Sequence, residues 1–306
     1  MDHRDNRFPR AAVTLYALFQ YAQSYGKVWV FGRFEAAPAQ FLSSLAFLLF
    51  GLMALGLDAA RTRMVLALTV PLAAVFAAAM VRFTFVAMAA SVLVAIVIAP
   101  GKERKYLALI LVGVIGAVAL GLSSRPETSA RFIAYTEALL PHSVVSAPTP
   151  TSPAATTQLP HSEVSAPTPT SPAATTRPGC PPREDFNTII IRQQLLRDAI
   201  RILPDAGLFG VGLGGFKARS CVEATEVHNT TVQSFVEFGW TGGLCFAALV
   251  ILAFVGLPWR APNPEARFVI YGLVFTALTT LGHGNLSTDA LLFLFMGQAA
   301  RLQSAA

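Results

Sequence analysis

Apolar residues fall along the chain in blocks matched to a membrane crossing, which takes about 20 predominantly apolar residues in a helix. Gln40–Leu57, Met64–Met80, Thr84–Ala99 and Tyr106–Leu122 are such blocks in the first part of the chain. Thr241–Leu257, Phe268–Leu281 and Asp289–Ala300 follow in the last part, and Ala11–Phe31 is a further block interrupted by Gln20, Gln23 and Lys27. The pattern predicts an all-α fold, a polytopic transmembrane helix bundle of about eight spans. Residues 1–122 form the expected N-terminal transmembrane bundle, 123–240 one long outer loop and 241–306 the C-terminal transmembrane bundle.

Basic residues orient these spans. Arg4, Arg7 and Arg10, then Arg61 and Arg63, Lys102, Arg104 and Lys105, Arg260 and Arg267, and Arg301 fall before the first span, in alternate connections and after the last. The positive-inside rule puts those segments on the cytoplasmic side. Ser123–Trp240 then faces outward, with Gly32–Pro38, Val81–Phe83 and Gly282–Thr288. No signal peptide is expected, because no small-residue cleavage site closes the apolar stretch after Arg10. Composition agrees. Hydrophobic residues make up 54% and charged residues 13%, whereas soluble domains carry about 25% charged residues. That excludes a soluble globular enzyme, a disordered protein and a nucleic-acid-binding domain. The net charge of +6 fits basic residues retained on the cytoplasmic side of a membrane.

The outer loop has two parts. Pro141–Leu159 and Pro160–Pro178 are a tandem duplication, changed only at Val144/Glu163, Gln158/Arg177 and Leu159/Pro178. Its Pro/Ser/Thr/Ala composition buries nothing, so 141–178 is expected to be a disordered tether. The part from 179 to 240 is different. Thr188–Leu203 has helical period, with Leu195, Leu196, Ala199 and Leu203 on one stripe and Gln194, Arg197, Asp198 and Arg201 on the opposite one. Arg192 falls on the apolar stripe, where a cation either finds an anionic partner or snorkels to headgroups. Pro204–Phe216 then carries Gly207, Gly210, Gly212, Gly214 and Gly215, which permit tight turns and close backbone approach to a ligand. It lacks the preceding strand and the glycine order of a nucleotide loop.

His228 is the histidine of this part, since His142 and His161 belong to the repeat. A lone histidine in an outer loop is more often a surface residue than a reactive one. With no second histidine, cysteine pair or carboxylate cluster at ligand spacing, no metal site is expected. Glu237 is read as structural, pairing or capping near the membrane entry. Arg82 is the one charged residue from Val65 to Ala99, a stretch longer than one crossing at about 1.5 Å per residue. The chain must therefore turn near Arg82, as an interfacial anchor or a buried cation awaiting an anion. Of the three cysteines, Cys180 and Cys221 share the oxidising outer loop and are expected to form a disulfide, while Cys245 lies in a span.

These residues resemble the O-antigen ligase / O-antigen polymerase superfamily of bacterial inner-membrane glycosyltransferases, which includes protein O-oligosaccharyltransferases. His228, Asn229, nine further residues, then Gly239, Trp240, Thr241 and Gly242 fit that family's outer-loop signature H-[NSQ]-x9-G-x-x-[GTY] without a gap. Arg192–Phe216 is similar to its arginine- and glycine-rich approach to the histidine. Val81-Arg82 stands where the family has Ser-Arg, and Phe31–Pro38, with Arg33, loosely matches an outer turn. The resemblance runs from Thr14 to Ala299. Family members carry more spans, so this chain is expected to begin near their middle, as a short form or a fragment.

The resemblance implies an enzyme of the bacterial inner (cytoplasmic) membrane, multi-pass, with its active site facing the periplasm and 179–240 as its catalytic loop. It would transfer a glycan from undecaprenyl-pyrophosphate to an acceptor hydroxyl on lipid A core, a polysaccharide or a protein. His228 would be the general base, and Arg192 and Arg82 would hold the pyrophosphate with Arg33 as a more distant candidate. Asn229 would orient the imidazole or a sugar, and Gly212 and Gly214 would line the substrate site. The reaction is expected to invert the anomeric centre, without metal or cofactor, and nucleic acid is not an expected partner. A reading from another class is a non-catalytic or truncated membrane paralogue that binds a lipid-linked glycan or a partner transferase. Thr149, Thr151 and Ser152, with their copies Thr168, Thr170 and Ser171, also resemble low-complexity glycan acceptors.

Overall fold

The computed structural model describes residues 37–78, 82–123, 180, 188–222, 225–259, 263–283, 286 and 289–304. The described residues are all-α, with no strand among them. Helices α1 (Ala37–Ala54), α2 (Ala59–Ala78), α3 (Arg82–Ile98) and α4 (Gly101–Ser123) come first. Then follow α5 (Thr188–Ala206), α6 (Gly215–Arg219), α7 (Thr230–Glu237), α8 (Gly239–Val255), α9 (Pro264–His283) and α10 (Ala290–Ser304). Residues 101–121 form a helix long and apolar enough to cross a membrane, while the apolar helices 42–54, 83–98 and 239–255 are shorter. The Ala11–Phe31 block, Arg33 and the 141–178 repeat lie outside the described residues.

Polar side chains mark the joints between helices. Asp58 caps α2 by accepting from the Arg61 amide at 2.8 Å. Arg61 reaches back to the Leu55 and Gly56 carbonyls at 3.2 and 3.0 Å, groups that a helix C-terminus leaves without partners. Arg104 does the same for the Ala99 carbonyl at the end of α3 (3.0 Å), and Asn263 caps α9 through the Ala266 amide (2.7 Å). A half-buried ion pair joins Glu103 at the start of α4 to Arg267 at the start of α9, 3.0 Å apart. Arg301 in α10 pairs with Glu265 in α9, and Gln303 bonds the Leu252 carbonyl near the end of α8 at 3.1 Å. These contacts gather the starts of α4 and α9 with the ends of α8 and α10. The basic connections sit together at one end.

The opposite end is built differently. The Phe83 ring, at the start of α3, packs where a Cβ on Gly282 would be, so α3 and the end of α9 touch. Between the two ends the interior is apolar. Phe47 and Phe50 of α1 meet Phe275 of α9 with ring centres 5.4 and 5.5 Å apart, and Phe47 stacks on Phe295 of α10 at 5.4 Å. Gly272 gives the Phe295 ring room to lie against the α9 backbone, and Gly113 does the same for Leu66 between α4 and α2. The outside is apolar as well: Val97, Val112, Leu120, Leu252 and Val255 are each more than half exposed.

Candidate functional site

Helices α5 to α7 make a small folded module at the end of the bundle opposite the basic connections. Its first element, α5, packs on α7 through Leu195, Ala199, Ile202 and Ala206, which are buried. Asp198 is buried with them. Its carboxylate accepts from the Cys221 amide (2.7 Å), the Ser220 hydroxyl (3.0 Å) and the Gln194 amide (3.0 Å), with Arg201 alongside at 3.5 Å. This corrects the two-face reading of the helix. Asp198 points inward and Leu196 and Ile200 point outward; a satisfied carboxylate is stable in the interior, whereas periodicity sorts residues by polarity alone. The Cys180–Cys221 disulfide is present, with Cα atoms 5.5 Å apart. It fastens Cys180 beside the segment that Asp198 holds.

The glycine-rich stretch forms the turn from α5 into α6. Gly207, Gly210, Gly212 and Gly214 all take left-handed backbone angles, which side chains other than glycine adopt only with strain. The turn lies backbone to backbone against the α7–α8 junction. The Val211 and Gly212 amides donate to the Val236 and Glu237 carbonyls at 2.9 and 3.0 Å. In return, the Trp240 and Thr241 amides donate to the Gly207 and Leu208 carbonyls at 3.1 and 3.3 Å. The last carbonyls of α7 and the first amides of α8, groups a helix end leaves over, are thereby satisfied. A Cβ on Gly210 would overlap the Glu237 carbonyl, and one on Gly239 would overlap the Gly210 amide. Gly239 of the histidine signature is thus a packing residue.

Glu237 anchors the junction from inside. It is almost completely buried, and its carboxylate accepts from the Gly214 amide (3.1 Å) and the Gln233 side chain (3.1 Å). Gln233 in turn accepts from the Leu286 amide at 3.0 Å. Burial pushes the Glu237 carboxyl above its usual range, against the Gln233 and Gly214 hydrogen bonds that favour the ion. The amides of Gly212 and Gly214, expected to line a substrate site, are both occupied with Glu237.

His228 stands exposed just before α7. Asn229 is the helix cap: its Oδ1 accepts from the Val232 amide and its Nδ2 donates to the Leu281 carbonyl, each at 3.0 Å. Both ends of the Asn229 amide therefore hold structure. Thr230 is buried and donates its hydroxyl to Asp289. Partial desolvation lowers the His228 pKa first, the Arg192 guanidinium lowers it further, and Glu226 opposes them. Glu226 is engaged by Lys217 at 2.6 Å. Arg192 is exposed on α5, within electrostatic reach of the imidazole.

Arg82 opens α3, and its side chain lies outside the described residues. Its neighbour Phe83 packs on Gly282, and the carbonyl next to Gly282, that of Leu281, is the one Asn229 grips. The start of α3 and the His228 segment therefore meet the same turn of α9. Beside them an apolar groove of 360 Å³ runs between α8 and α9, lined by Thr231, Phe246, Val250, Phe254, Leu278 and Leu281 among others. Among the described residues no three histidine, cysteine or acidic side chains stand close enough to hold a metal ion. Sequence reasoning did not find the connections of Asp198, Gln233 and Asp289, because each partner lies more than twenty residues away, with no periodic signal between. No family model matches the chain, and no curated protein and no solved structure does either.

Proposed function

We propose that this chain is a polytopic membrane glycosyltransferase of the O-antigen ligase type. On this reading it moves a glycan from a polyprenyl pyrophosphate to an acceptor hydroxyl at the periplasmic face of the bacterial inner membrane. One observation carries the reading: His228, Arg192 and the start of α3 at Arg82 are far apart in sequence, yet all three come to the end of the bundle opposite the basic joints. The exposed apolar side chains of α3, α4 and α8 support about eight spans, since contiguous apolar exterior on this scale calls for lipid. So does the gathering of basic joints at the other end.

The chemistry divides between an imidazole and a guanidinium. The acceptor oxygen attacks the anomeric carbon as the bond from that carbon to the pyrophosphate oxygen breaks. The hydroxyl proton passes to the His228 imidazole, and the bonding pair leaves with the pyrophosphate. A depressed pKa keeps His228 in its neutral, proton-accepting form at neutral pH. Arg192, whose guanidinium cannot lose its charge, stabilises the negative charge that builds on the departing pyrophosphate. The apolar groove beside Leu281 offers the polyprenyl chain a dry wall. The test is transfer in proteoliposomes, with a polyprenyl-pyrophosphate glycan as donor and lipid A core, a polysaccharide or a Ser/Thr peptide as acceptor. His228→Ala should lower turnover by about 10²–10⁴-fold and leave donor binding intact. Full turnover in that variant would refute the assignment.

A further inference from the structure

Helix α5 has three faces. Advancing about 100° per residue, Leu195, Asp198, Ala199, Ile202 and Ala206 form the buried face, and Arg197, Arg201 and Asp205 an exposed charged one. Arg192, Leu196 and Ile200 line a third, exposed face, with half-buried Leu203 beside them. Leu196 is 42% and Ile200 60% exposed. The turn that follows exposes more: Leu208 65%, Leu213 78% and Phe209 85%. No charged residue lies between Asp205 and Lys217.

We infer that Leu196, Ile200, Leu208, Phe209 and Leu213 form a docking face for the outer leaflet of the bilayer, which lays α5 along the interface with Arg192 at headgroup depth. The inference rests on the proposal that α8 spans the membrane. Lipid is the occupant because this surface continues onto α8. The Gly207 and Leu208 carbonyls bond the first amides of that helix, so the apolar turn sits level with its entry. From there Trp240, Leu244, Ile251 and Val255 carry the exposed apolar surface along α8. Trp240, partly exposed at the junction, is of the aromatic type that collects at a membrane interface. A cation at the edge of an apolar helical face is the pattern of an interfacial helix, its stem in the acyl region and its charge among phosphates. The docking face would hold Arg192 and His228 at the depth where a lipid-linked pyrophosphate presents itself.

The test uses the full chain in nanodiscs of phosphatidylethanolamine and phosphatidylglycerol, with the Cys180–Cys221 disulfide intact and Cys245→Ser as background. An environment-sensitive fluorophore is attached at Ile200→Cys, Phe209→Cys or Leu213→Cys, with Leu249→Cys on α8 and Arg197→Cys on the charged face as references. Spin-labelled lipids carry the quencher either near the headgroup or deep in the acyl chain. The Phe209 and Leu213 probes should be quenched by the shallow label to within about twofold of the quenching of the Leu249 probe by the deep label. The Ile200 probe should follow them, and the Arg197 probe should be quenched far less. A quenched Leu249 probe with a Phe209 probe no more quenched than Arg197 would overturn the docking face and leave the span standing. A blue-shifted but unquenched Phe209 probe would also overturn it, as burial against protein. An unquenched Leu249 probe would overturn the span, and the docking face with it.

Discussion

Helices α1–α4 and the module from α5 to α7 bury comparable side chains by different means. In the bundle, buried hydroxyls turn back on their own helix: Thr62 bonds the Asp58 carbonyl at 2.7 Å and Ser91 the Ala87 carbonyl at 2.9 Å. Such bonds satisfy the hydroxyl locally and specify no neighbour. Cohesion there comes from apolar packing such as Leu49, Phe50, Met88 and Ile110, which tolerates exchange at constant volume. In the module Ser234 also turns back on its own helix, but three other buried polar groups join separate segments: Asp198 to Ser220 and Cys221, Glu237 to Gly214, Gln233 to Leu286. Its glycines let two backbones touch. The bundle supplies a platform, and the module brings Arg192 within electrostatic reach of His228.

The glycines give the sharpest way to break this comparison. Gly239→Ala should abolish the folded module, because the new Cβ meets backbone that cannot move aside and the left-handed angle alone costs about 1–3 kcal/mol. Gly116→Ala in α4, where nothing lies within 4 Å of the added Cβ, should instead gain about 0.5–1 kcal/mol. Limited proteolysis and thermal unfolding of the two variants read the contrast. Next in size is the disulfide. Cys180 and Cys221 are separated by 41 residues, a loop for which chain entropy gives about 3–4 kcal/mol. Cys180→Ser should lower the unfolding temperature of the module and leave the protection of α1–α4 in hydrogen exchange unchanged.

Asp198→Ala should follow, at about 1–3 kcal/mol, since it removes the buried acceptor of the Ser220 hydroxyl and the Cys221 amide. Thr276→Val in α9 is the bundle counterpart. Its hydroxyl bonds only carbonyls of its own helix, so denaturant titration should find it close to neutral. The smallest effect is on the imidazole. Arg192→Gln removes a cation that lowers the His228 pKa, so the nuclear magnetic resonance titration should move upward. Glu226→Gln removes the opposing anion and should move it downward. Because the folded value lies below the ordinary 6.5, the unfolded chain takes up the proton first. The contribution of His228 to stability is then present above the unfolded value and lost as pH falls through the window below it.

Much of this was legible in the sequence. Seven of the apolar blocks match described helices with ends shifted by a few residues, one helix ends at Ala78 and the next starts at Arg82 on either side of the expected turn, and the Cys180–Cys221 pairing was the sole one available in the loop. What periodicity missed was the inside of the module. It placed Asp198 with Arg197 and Arg201, because a helical wheel holds no record of Ser220 and Cys221 arriving from across the chain. Nor does periodicity record that the Gly212 and Gly214 amides bond Glu237. Asn229 was expected to orient the imidazole or a sugar; its cap on α7 was not among the expectations, and its hold on Leu281 depends on how α7 settles on α9.

The central claim is that the module presents Arg192 and His228 as one catalytic surface, and that the charged face of α5 takes no part. The most direct measurement is kcat/KM for glycan transfer by Arg192→Lys and Arg197→Ala, assayed side by side with the same donor and acceptor. Expected is a loss of at least about tenfold for Arg192→Lys, since a point charge does not replace a bidentate guanidinium, with Arg197→Ala within about twofold of the parent chain. Equal losses at the two arginines, or none at Arg192, would contradict it.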